Sequence, residues 1–305
     1  MIKKILFWII LSLIFILAMG SMASMAGEFS LSAENDVMGH TDRHYTHGTR
    51  LFYLFDDLSI FSFEGRENRV GIGLSQYMYT PSDIKIAELM EDDRPYGGWL
   101  YLNFLLFSRK GNALDMAEID MGIVGPSSGA KETQKLVHSW IDCADPKGWD
   151  NQIEDEIGLN LIYQRKYKWS KKGLIDFDFI TYGGGSLGNV FTYCDVGGML
   201  RIGHNIPDDF GYIKMEPSSR VTGVSAYLFL SAEGRYVLRN IFLDGNTFKD
   251  SHSVDKEDVV GDAVAGLGFE FGKFELIYGY NHRTKEFKGQ DEHNRYGTLI
   301  LNWKY

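Results

Sequence analysis

A compact polar stretch near the amino terminus holds the residue types that carry protons and bind metal ions. The 16 residues "AENDVMGHTDRHYTHG", from Ala33 to Gly48, contain three His, two Asp, one Glu and one Asn. Carboxylates and imidazoles are common metal ligands, and histidine also changes its protonation state near neutral pH. The histidines His40, His44 and His47 raise the alternative of a zinc site, but their spacing matches no settled ligand pattern. The stretch is therefore a candidate site whose chemistry depends on what lies beside it.

A second candidate group lies much further along the chain, on a predicted helix. Ser127 or Ser128 is expected to cap this helix, which should run to about Asp142. Gln134 and His138 are separated by one helical turn on it, so they share a face and can contact the same object. Alternatively, His138 is a solvated side chain on a surface helix. Whether the two groups lie close together in space depends on the fold that the surrounding segments form.

The segments around both groups alternate between apolar and polar residues, which is the period of a β-strand. In "EIGLNLIYQRKY", Ile157, Leu159 and Leu161 fall on one face and Asn160 on the other. Many such strands reach about 10 to 13 residues, the length that a tilted strand needs to cross a membrane. The opposite faces carry charges that a soluble sandwich core could not hold but a polar barrel lumen can. These charges are Glu118, Asp120, Asp176, Asp178, Arg201, Glu233, Arg235 and Glu270.

The alternation predicts an all-β fold, a single antiparallel transmembrane β-barrel of about twelve strands with a short helix in an outer loop. The strands are expected near residues 28–35, 46–56, 67–79, 97–109, 113–124, 154–168, 172–183, 189–204, 222–234, 259–271, 274–286 and 294–305. The short connections should be periplasmic turns, and the long ones should lie at the outer end. The long outer connections are expected near 36–45, 80–96, 125–153, 235–258 and 287–293. The stretch 205–221 is an exception, because it is long for a periplasmic turn.

This topology brings the candidate residues to one end of the barrel. Asn35 and Asp36 end the first predicted strand and Thr46 begins the second, so they should be neighbours at the outer rim. Lys85 and His138 lie in connections that reach the same rim. A carboxylate, an amide, a hydroxyl, a lysine and a histidine can therefore converge there.

The first 26 residues are predicted to be a cleaved signal peptide, followed by one barrel domain over residues 27–305. Lys3 and Lys4 precede the apolar run from Ile5 to Ala18, and the small residues of "SMASMA" follow it. That run is short for a membrane span, which needs about 20 residues. Export is therefore expected, and with it a location in the outer membrane of a Gram-negative cell.

Composition excludes some partners and leaves others open. The formal net charge is −10 and no basic patch is evident, so a nucleic-acid partner is not expected. Aromatic residues should crowd the lumen, which weighs against an open channel. They are Tyr77, Tyr79, Phe104, Tyr227 and Phe229. The two cysteines, Cys143 and Cys194, could pair in an exported protein, and this possibility stays open.

Four segments in order along the chain resemble the outer-membrane lipid A 3′-O-deacylase family, the LpxR-like proteins. They are "AEND…TDRHYTHG", "YTPSD…DDRPYGGWLY", "GPSSGAKETQKLVH" and "PKGWDNQIEDE", and together they span about residues 30 to 160. The resemblance implies a twelve-stranded barrel with an active site between the barrel wall and a helix from an outer loop. It also implies calcium-dependent removal of the 3′-linked acyloxyacyl group from lipid A.

The resemblance also implies which residues form the site. The family's catalytic residues fall on Asn35, Asp36, Thr46, Lys85, Gln134 and His138, although the spacing before the lysine differs. An acidic residue that the family can carry after the helix aligns with Ala144, which has Asp142 and Asp145 beside it.

These residues can hydrolyse an ester, which needs a general base, a positioned water and stabilisation of the oxyanion. His138 would be the base, and Gln134 and Thr46 would position the water or the ester. Asp36 and Asn35, with backbone carbonyls, would bind Ca²⁺, which can polarise the ester carbonyl. No serine is expected to act as a nucleophile, so direct attack by water is preferred.

The expected protein is a carboxylic ester hydrolase that acts as a monomer on lipopolysaccharide. Two alternatives remain: a non-catalytic or porin-like barrel, and an outer-membrane phospholipase acting on glycerophospholipids.

Overall fold

The chain folds into a closed antiparallel β-barrel of twelve strands, as predicted. The computed structural model describes residues 27–36, 44–56, 63–141, 144–211 and 221–304. The strands are β1 Gly27–Asn35, β2 His44–Phe55, β3 Glu67–Thr80, β4 Gly97–Lys110, β5 Ala113–Val124, β6 Glu156–Lys171, β7 Asp176–Gly188, β8 Phe191–His204, β9 Val224–Asn240, β10 Val259–Phe271, β11 Phe274–Arg283 and β12 Asn294–Lys304. Each strand pairs with its neighbours in sequence, and β12 closes the barrel on β1 from Glu28↔Lys304 to Asn35↔Gly297. Closure leaves no sheet edge exposed to lipid.

Two helices lie in the outer connections: α1 (Ala130–Ile141) and the short α2 (Ile241–Asp244). The prediction that Ser127 or Ser128 caps α1 is wrong, because both belong to a 3₁₀ turn over Pro126–Ser128. The first backbone hydrogen bond of α1 runs from Thr133 N to Gly129 O over 3.0 Å. Gly129 has a φ of 68°, a left-handed conformation that glycine adopts at little cost and that redirects the chain into the helix. None of the described helices is both long and apolar enough to cross a membrane.

The largest error in strand bounds concerns β9, which was expected to end near residue 234 but continues to Asn240. The stretch "GGGSLG" is a short outer loop in the predicted arrangement, between the strands expected at 172–183 and 189–204, but it lies within β7, and the turn that follows it consists of Asn189 and Val190. Both errors occur where small or charged residues hide the alternation of a strand. The outer connection after β9 is correspondingly shorter than predicted and contains α2.

The two faces of the barrel differ as a membrane protein requires. The outward face is apolar: Leu74, Leu102 and Leu161 are 44%, 45% and 50% exposed in the protein alone, where lipid would cover them. Phe104 belongs to this face, since it is 43% exposed and pairs with Ile72. The prediction that Phe104 crowds the lumen is therefore wrong, and the reason is that its face follows that of Leu102, two residues earlier. Tyr77, Tyr79, Tyr227 and Phe229 do face inward.

Charged side chains inside the barrel form ion pairs with side chains of opposite charge. Arg201 bonds Asp178 over 2.6 Å and Asp209 over 2.5 Å, and all three side chains are buried. Arg50 pairs with Glu118 over 2.8 Å, and Lys304 pairs with Glu270 over 2.8 Å. These pairs confirm that the inward charges predicted from sequence share a polar interior.

Side chains fill the barrel towards both ends. Tyr45, Trp99 and Phe242 belong to a buried aromatic cluster near the outer end, and α2 is part of it. Ile206 and Phe210 are buried towards the periplasmic end, where the chain after β8 folds back into the barrel. A chamber of about 270 Å³ lies in the interior. The stretch after β8, which is long for a periplasmic turn, therefore begins as part of the interior packing.

We predict that Arg201→Ala destabilises the barrel, because two buried carboxylates would lose their shared cation. Breaking a buried pair costs about 3–5 kcal/mol. The measurement is the urea midpoint of the shift between folded and unfolded bands in unheated gels. Arg165→Ala is the matched control, since Arg165 is exposed on β6 and lies 3.6 Å from Asp115. Equal midpoints for the two variants would contradict a stabilising role for the buried pair.

Candidate active site

Part of the outward barrel face is covered by other segments of the protein rather than exposed to lipid, and the candidate residues lie at this outer end. Met78 shares the outward face of β3 with Leu74, yet it is only 1% exposed. It packs in a cluster with Ile84, Tyr96, Ala130 and Trp149, which come from two outer connections and from α1. The outer end of β3 is therefore covered by α1 and by the two outer connections, whereas Leu74 on the same face is exposed.

Helix α1 lies close against the wall because glycine is present at position 98. A Cβ atom built on Gly98 would lie 2.3 Å from both Ala130 Cβ and Ser128 Oγ, so no larger residue fits without moving the helix. Gln76 on β3 also donates a hydrogen bond to Ser128 O over 2.8 Å. Ala130 therefore marks the face of α1 that contacts the wall.

Gln134 and His138 follow Ala130 at intervals of one helical turn, so they share its wall-facing side. Their exposed fractions of 2% and 5% agree with this position. On the solvent side, Lys131 bonds Asp150 over 2.7 Å, and this hydrogen bond lowers the pKa of the Asp150 carboxyl. The prediction that Gln134 and His138 share a face of one helix is confirmed.

A backbone carbonyl orients His138. Its Nδ1 lies 2.6 Å from Ala144 O. A carbonyl can only accept, so Nδ1 carries the proton and donates it. Nε2 is then the nitrogen with a lone pair, as a general base requires. Ala144 is the position where the resemblance places an acidic residue, and here its main-chain oxygen accepts the hydrogen bond from the imidazole.

Asn35, Thr46 and Thr80 form hydrogen bonds that link β1, β2 and β3 at the outer end of the wall. Asn35 Nδ2 donates to Thr46 O over 3.2 Å, which links β1 to β2. The β2–β3 register shifts between Tyr45 and His47, so Thr46 is the extra residue of a β-bulge. Its Oγ1 lies 2.7 Å from Thr80 Oγ1. The bulge thus brings the Thr46 hydroxyl to Thr80, the last residue of β3.

Asp36 follows Asn35 and is 1% exposed, so it places a carboxylate at the end of β1. A carboxylate and an amide oxygen are ligands that Ca²⁺ prefers, and the pair fits that ion in kind. Calcium takes six to eight oxygens, so backbone, water or lipid oxygens would have to complete the set. Among the described residues, no three His, Cys, Asp or Glu side chains form a group that could hold a metal ion.

The remaining predicted residues are less closely associated with this patch. Lys85 is exposed, and its backbone N–H bonds Asp83 Oδ1 over 2.9 Å, so its assignment stays a prediction. His44 lies 3.8 Å from Asp93, whereas His47 Nε2 bonds Thr49 Oγ1 over 2.6 Å. These two histidines therefore have separate partners. His40, Asp142, Cys143 and the signal peptide lie outside the described residues.

Two serines occur in a G-x-S-x-G letter pattern, which marks the nucleophile in many serine hydrolases. Ser127, in "GPSSG", lies in the 3₁₀ turn and donates to Asp155 Oδ2 over 2.7 Å. Ser186, in "GGSLG", lies within β7 and donates to Phe191 O over 3.0 Å. Ser127 lies in the turn between β5 and α1, but its hydroxyl donates to a carboxylate rather than to a histidine, and Ser186 lies inside a strand, so the pattern has no catalytic context here.

Sequence reasoning gave no role to Trp149, Thr80 or the carbonyl of Ala144. Trp149 Nε1 donates to Gln134 Oε1 over 2.7 Å. Trp149 and Thr80 both occur in the segments that carry the family resemblance, "PKGWDNQIEDE" and "YTPSD". Their presence in these segments was the sequence signal that could have indicated a role for Trp149 and Thr80. A main-chain carbonyl leaves no mark in side-chain identity, so the role of Ala144 could not be read from the sequence.

We predict that Gly98→Leu displaces α1, because the new side chain would occupy the volume of Ala130 and Ser128. Trypsin should then cleave faster after Lys131 or Lys135 in outer membranes that carry the variant, while the gel shift of the folded barrel persists. Gly234→Leu on β9 is the control, since a Cβ there would have no neighbour within 4 Å. Equal cleavage rates in the two variants would show that the close approach at Gly98 does not seat the helix.

Comparison with known proteins identifies a family whose sequence model this chain matches. The sequence model of the family described as outer membrane protein LpxR matches residues 6–305. The solved structure of LpxR from Salmonella typhimurium matches with a TM-score of 0.77 and 21% identity, covering 91% of this chain and 100% of that one. This likeness shows a common fold. Comparison with curated proteins gives no match.

Other solved barrels match more weakly. The β domain of the Bordetella autotransporter BrkA matches with a TM-score of 0.41 and 10% identity, covering 92% of this chain and 100% of that one. The translocator domain of NalP from Neisseria meningitidis has a TM-score of 0.44 and 10% identity, with coverages of 92% and 88%.

Proposed function

Because the chain belongs to the LpxR family of outer-membrane proteins, we propose that it is a lipid A deacylase that hydrolyses the 3′-O-linked acyloxyacyl ester. The observation that carries the proposal is the position of the candidate residues. His138 and Gln134 are buried on the wall-facing side of α1, and Thr46 is buried at the outer end of β2, where its hydroxyl meets Thr80 of β3. A lipid in the outer leaflet reaches that face directly, whereas a solute in the lumen does not.

His138 is the general base of the proposed reaction. Its Nε2 takes a proton from water while the water oxygen bonds to the ester carbonyl carbon. The tetrahedral intermediate then collapses, and the bond between that carbon and the 3′ oxygen breaks. His138 returns the proton to the 3′ oxygen. The products are a free acyloxyacyl fatty acid and lipid A with a 3′-hydroxyl.

The wall residues position the ester and would hold the metal ion. Asp36 and Asn35, with backbone carbonyls, are the proposed ligands of Ca²⁺, which when bound would polarise the ester carbonyl. Thr46 is fixed by Thr80, so its hydroxyl has a defined place beside the proposed ester. Asn35 is tied to the backbone of Thr46, which keeps the two strands in register at this point.

The alternatives receive less support from the described residues. Inward side chains pack near both ends of the barrel, which argues against a porin-like channel. A phospholipase with a serine nucleophile would need a serine hydroxyl at His138 Nε2. Among the described residues His138 bonds only Ala144 O, through Nδ1, and the neighbouring Ser139 donates to Leu136 O. Analysis of both lipid classes in one experiment separates the remaining possibilities.

We predict that His138→Ala lowers the rate of lipid A deacylation by about 10² to 10⁴-fold, the usual contribution of a general base. The measurement is mass spectrometry of lipid A from cells that make equal amounts of folded protein. His204→Ala is the control, because His204 is exposed at the periplasmic end of β8 and should leave the rate unchanged. Unchanged lipid A with altered phospholipids in the wild type would favour the phospholipase instead.

We predict that a calcium chelator abolishes deacylation and that added Ca²⁺ restores it, because the Asp36 and Asn35 oxygens suit that ion. The assay uses purified protein in detergent with lipid A as substrate. The gel shift of the folded barrel is followed in parallel and should not change. Full activity after chelation would remove the metal ion from the mechanism and leave Asp36 with another role.

A further inference from the structure

We propose that Trp149 is a positioning residue that orients the amide of Gln134, so that Gln134 presents only N–H donors to the substrate. The inference rests on the proposed function, because the substrate group in question is the ester carbonyl oxygen of lipid A. Trp149 would act through Gln134 and need not touch the lipid. Its contribution would be to fix which end of an amide faces the reaction.

The hydrogen bond between the two side chains has only one possible direction. Trp149 Nε1 lies 2.7 Å from Gln134 Oε1, and both side chains are buried. An indole N–H can donate but cannot accept, so the atom facing it must be the amide oxygen. The bond therefore excludes the flipped amide, in which the –NH₂ group would meet the indole N–H.

The other end of the amide is a buried donor that the protein leaves available. Gln134 Nε2 is shielded from solvent and makes no hydrogen bond within the part of the chain that the structure describes. A buried donor without a partner costs free energy, so such groups are usually paired or serve a function. Nε2 lies on the wall-facing side of α1, one turn from His138. A ligand that enters between helix and wall would meet this donor beside the base.

The indole is rigidly held. Trp149 is 1% exposed and lies on Tyr96, with ring centroids 4.8 Å apart. It belongs to the short turn Gly148–Asn151, whose Asn151 Nδ2 donates to Ala87 O over 2.7 Å. Just before the turn, Lys147 N donates to Ile84 O over 2.8 Å. These bonds connect the turn to the outer connection before β4, so the indole is a fixed reference for the amide.

The chemical consequence concerns the charge that develops during ester hydrolysis. The carbonyl oxygen becomes negative in the tetrahedral intermediate, and a preoriented N–H group stabilises that charge. A flipped amide would direct its own oxygen at the oxyanion and raise its energy. Trp149 would thus decide whether Gln134 assists or opposes the reaction.

The first test replaces the indole N–H while keeping an aromatic ring. Trp149→Phe should lower kcat by on the order of 10-fold, less than the 10²–10³ lost when an oxyanion donor is removed outright. KM should change less than twofold, since ground-state binding of the acyl chains is untouched. Tyr96→Phe is the control, because it removes a hydroxyl from the same cluster without touching Gln134, and it should leave kcat unchanged.

The second test asks whether Trp149 acts only through Gln134. Trp149→Phe should cost nothing further in a Gln134→Ala background. An equal loss in both backgrounds, or a loss of the same size in Tyr96→Phe, would show that Trp149 matters only for packing and would overturn the proposal.

A third measurement does not depend on activity. The indole N–H resonance of Trp149 in the detergent-solubilised protein, identified by its absence in Trp149→Phe, should move upfield in Gln134→Ala and stay in place in Lys135→Ala. An unmoved resonance in Gln134→Ala would refute the hydrogen bond and the proposal with it. If the wild type releases no acyl chain from lipid A, the proposed function fails and the positioning role with it. The resonance would then still report whether Trp149 holds Gln134.

Discussion

The constraint on which this molecule depends is that every backbone N–H and C=O group inside the membrane must find a partner within the protein. Twelve strands meet it by closing on themselves, with β12 paired to β1 along eight consecutive residues of β1, Glu28 to Asn35. Closure fixes two faces, because successive side chains of a strand point to opposite sides. One face must be compatible with lipid, and the other must fill a polar interior.

The candidate site is an exception to the division, and α1 makes the exception possible. Asn35, Thr46 and Thr80 place polar groups on the side of the wall that is otherwise apolar. They do so only at the outer end, where a helix and two connections cover the wall. The contrast between Leu74 and Met78, one exposed and one buried on the same face, marks the edge of that cover. In the proposed function, an ester that enters there would leave its acyl chains in lipid while its carbonyl meets polar groups.

Prediction succeeded where the deciding information is local. Period-two alternation located all twelve strands, and the helical spacing of Gln134 and His138 predicted their common face correctly. It failed where neighbours in space decide. Ser127 was expected to cap α1, but Asp155, distant in sequence, takes its hydroxyl. The error at Phe104 is of another kind: an aromatic residue suits either face, and the spacing from Leu102 already places it on the outward one.

The sequence by itself determined that this chain is a barrel whose strands alternate between an apolar and a polar face, and it predicted which polar residues lie at the outer rim. These properties follow from short-range periodicity and from the order of long and short connections. Only the tertiary structure decided how the gathered residues are oriented. A bulge brings the Thr46 hydroxyl to Thr80, the Ala144 carbonyl sets the tautomer of His138, and Trp149 sets the amide of Gln134. Each orientation depends on a hydrogen bond between groups that only the packed chain brings within 3 Å, so no local pattern of residues could specify it.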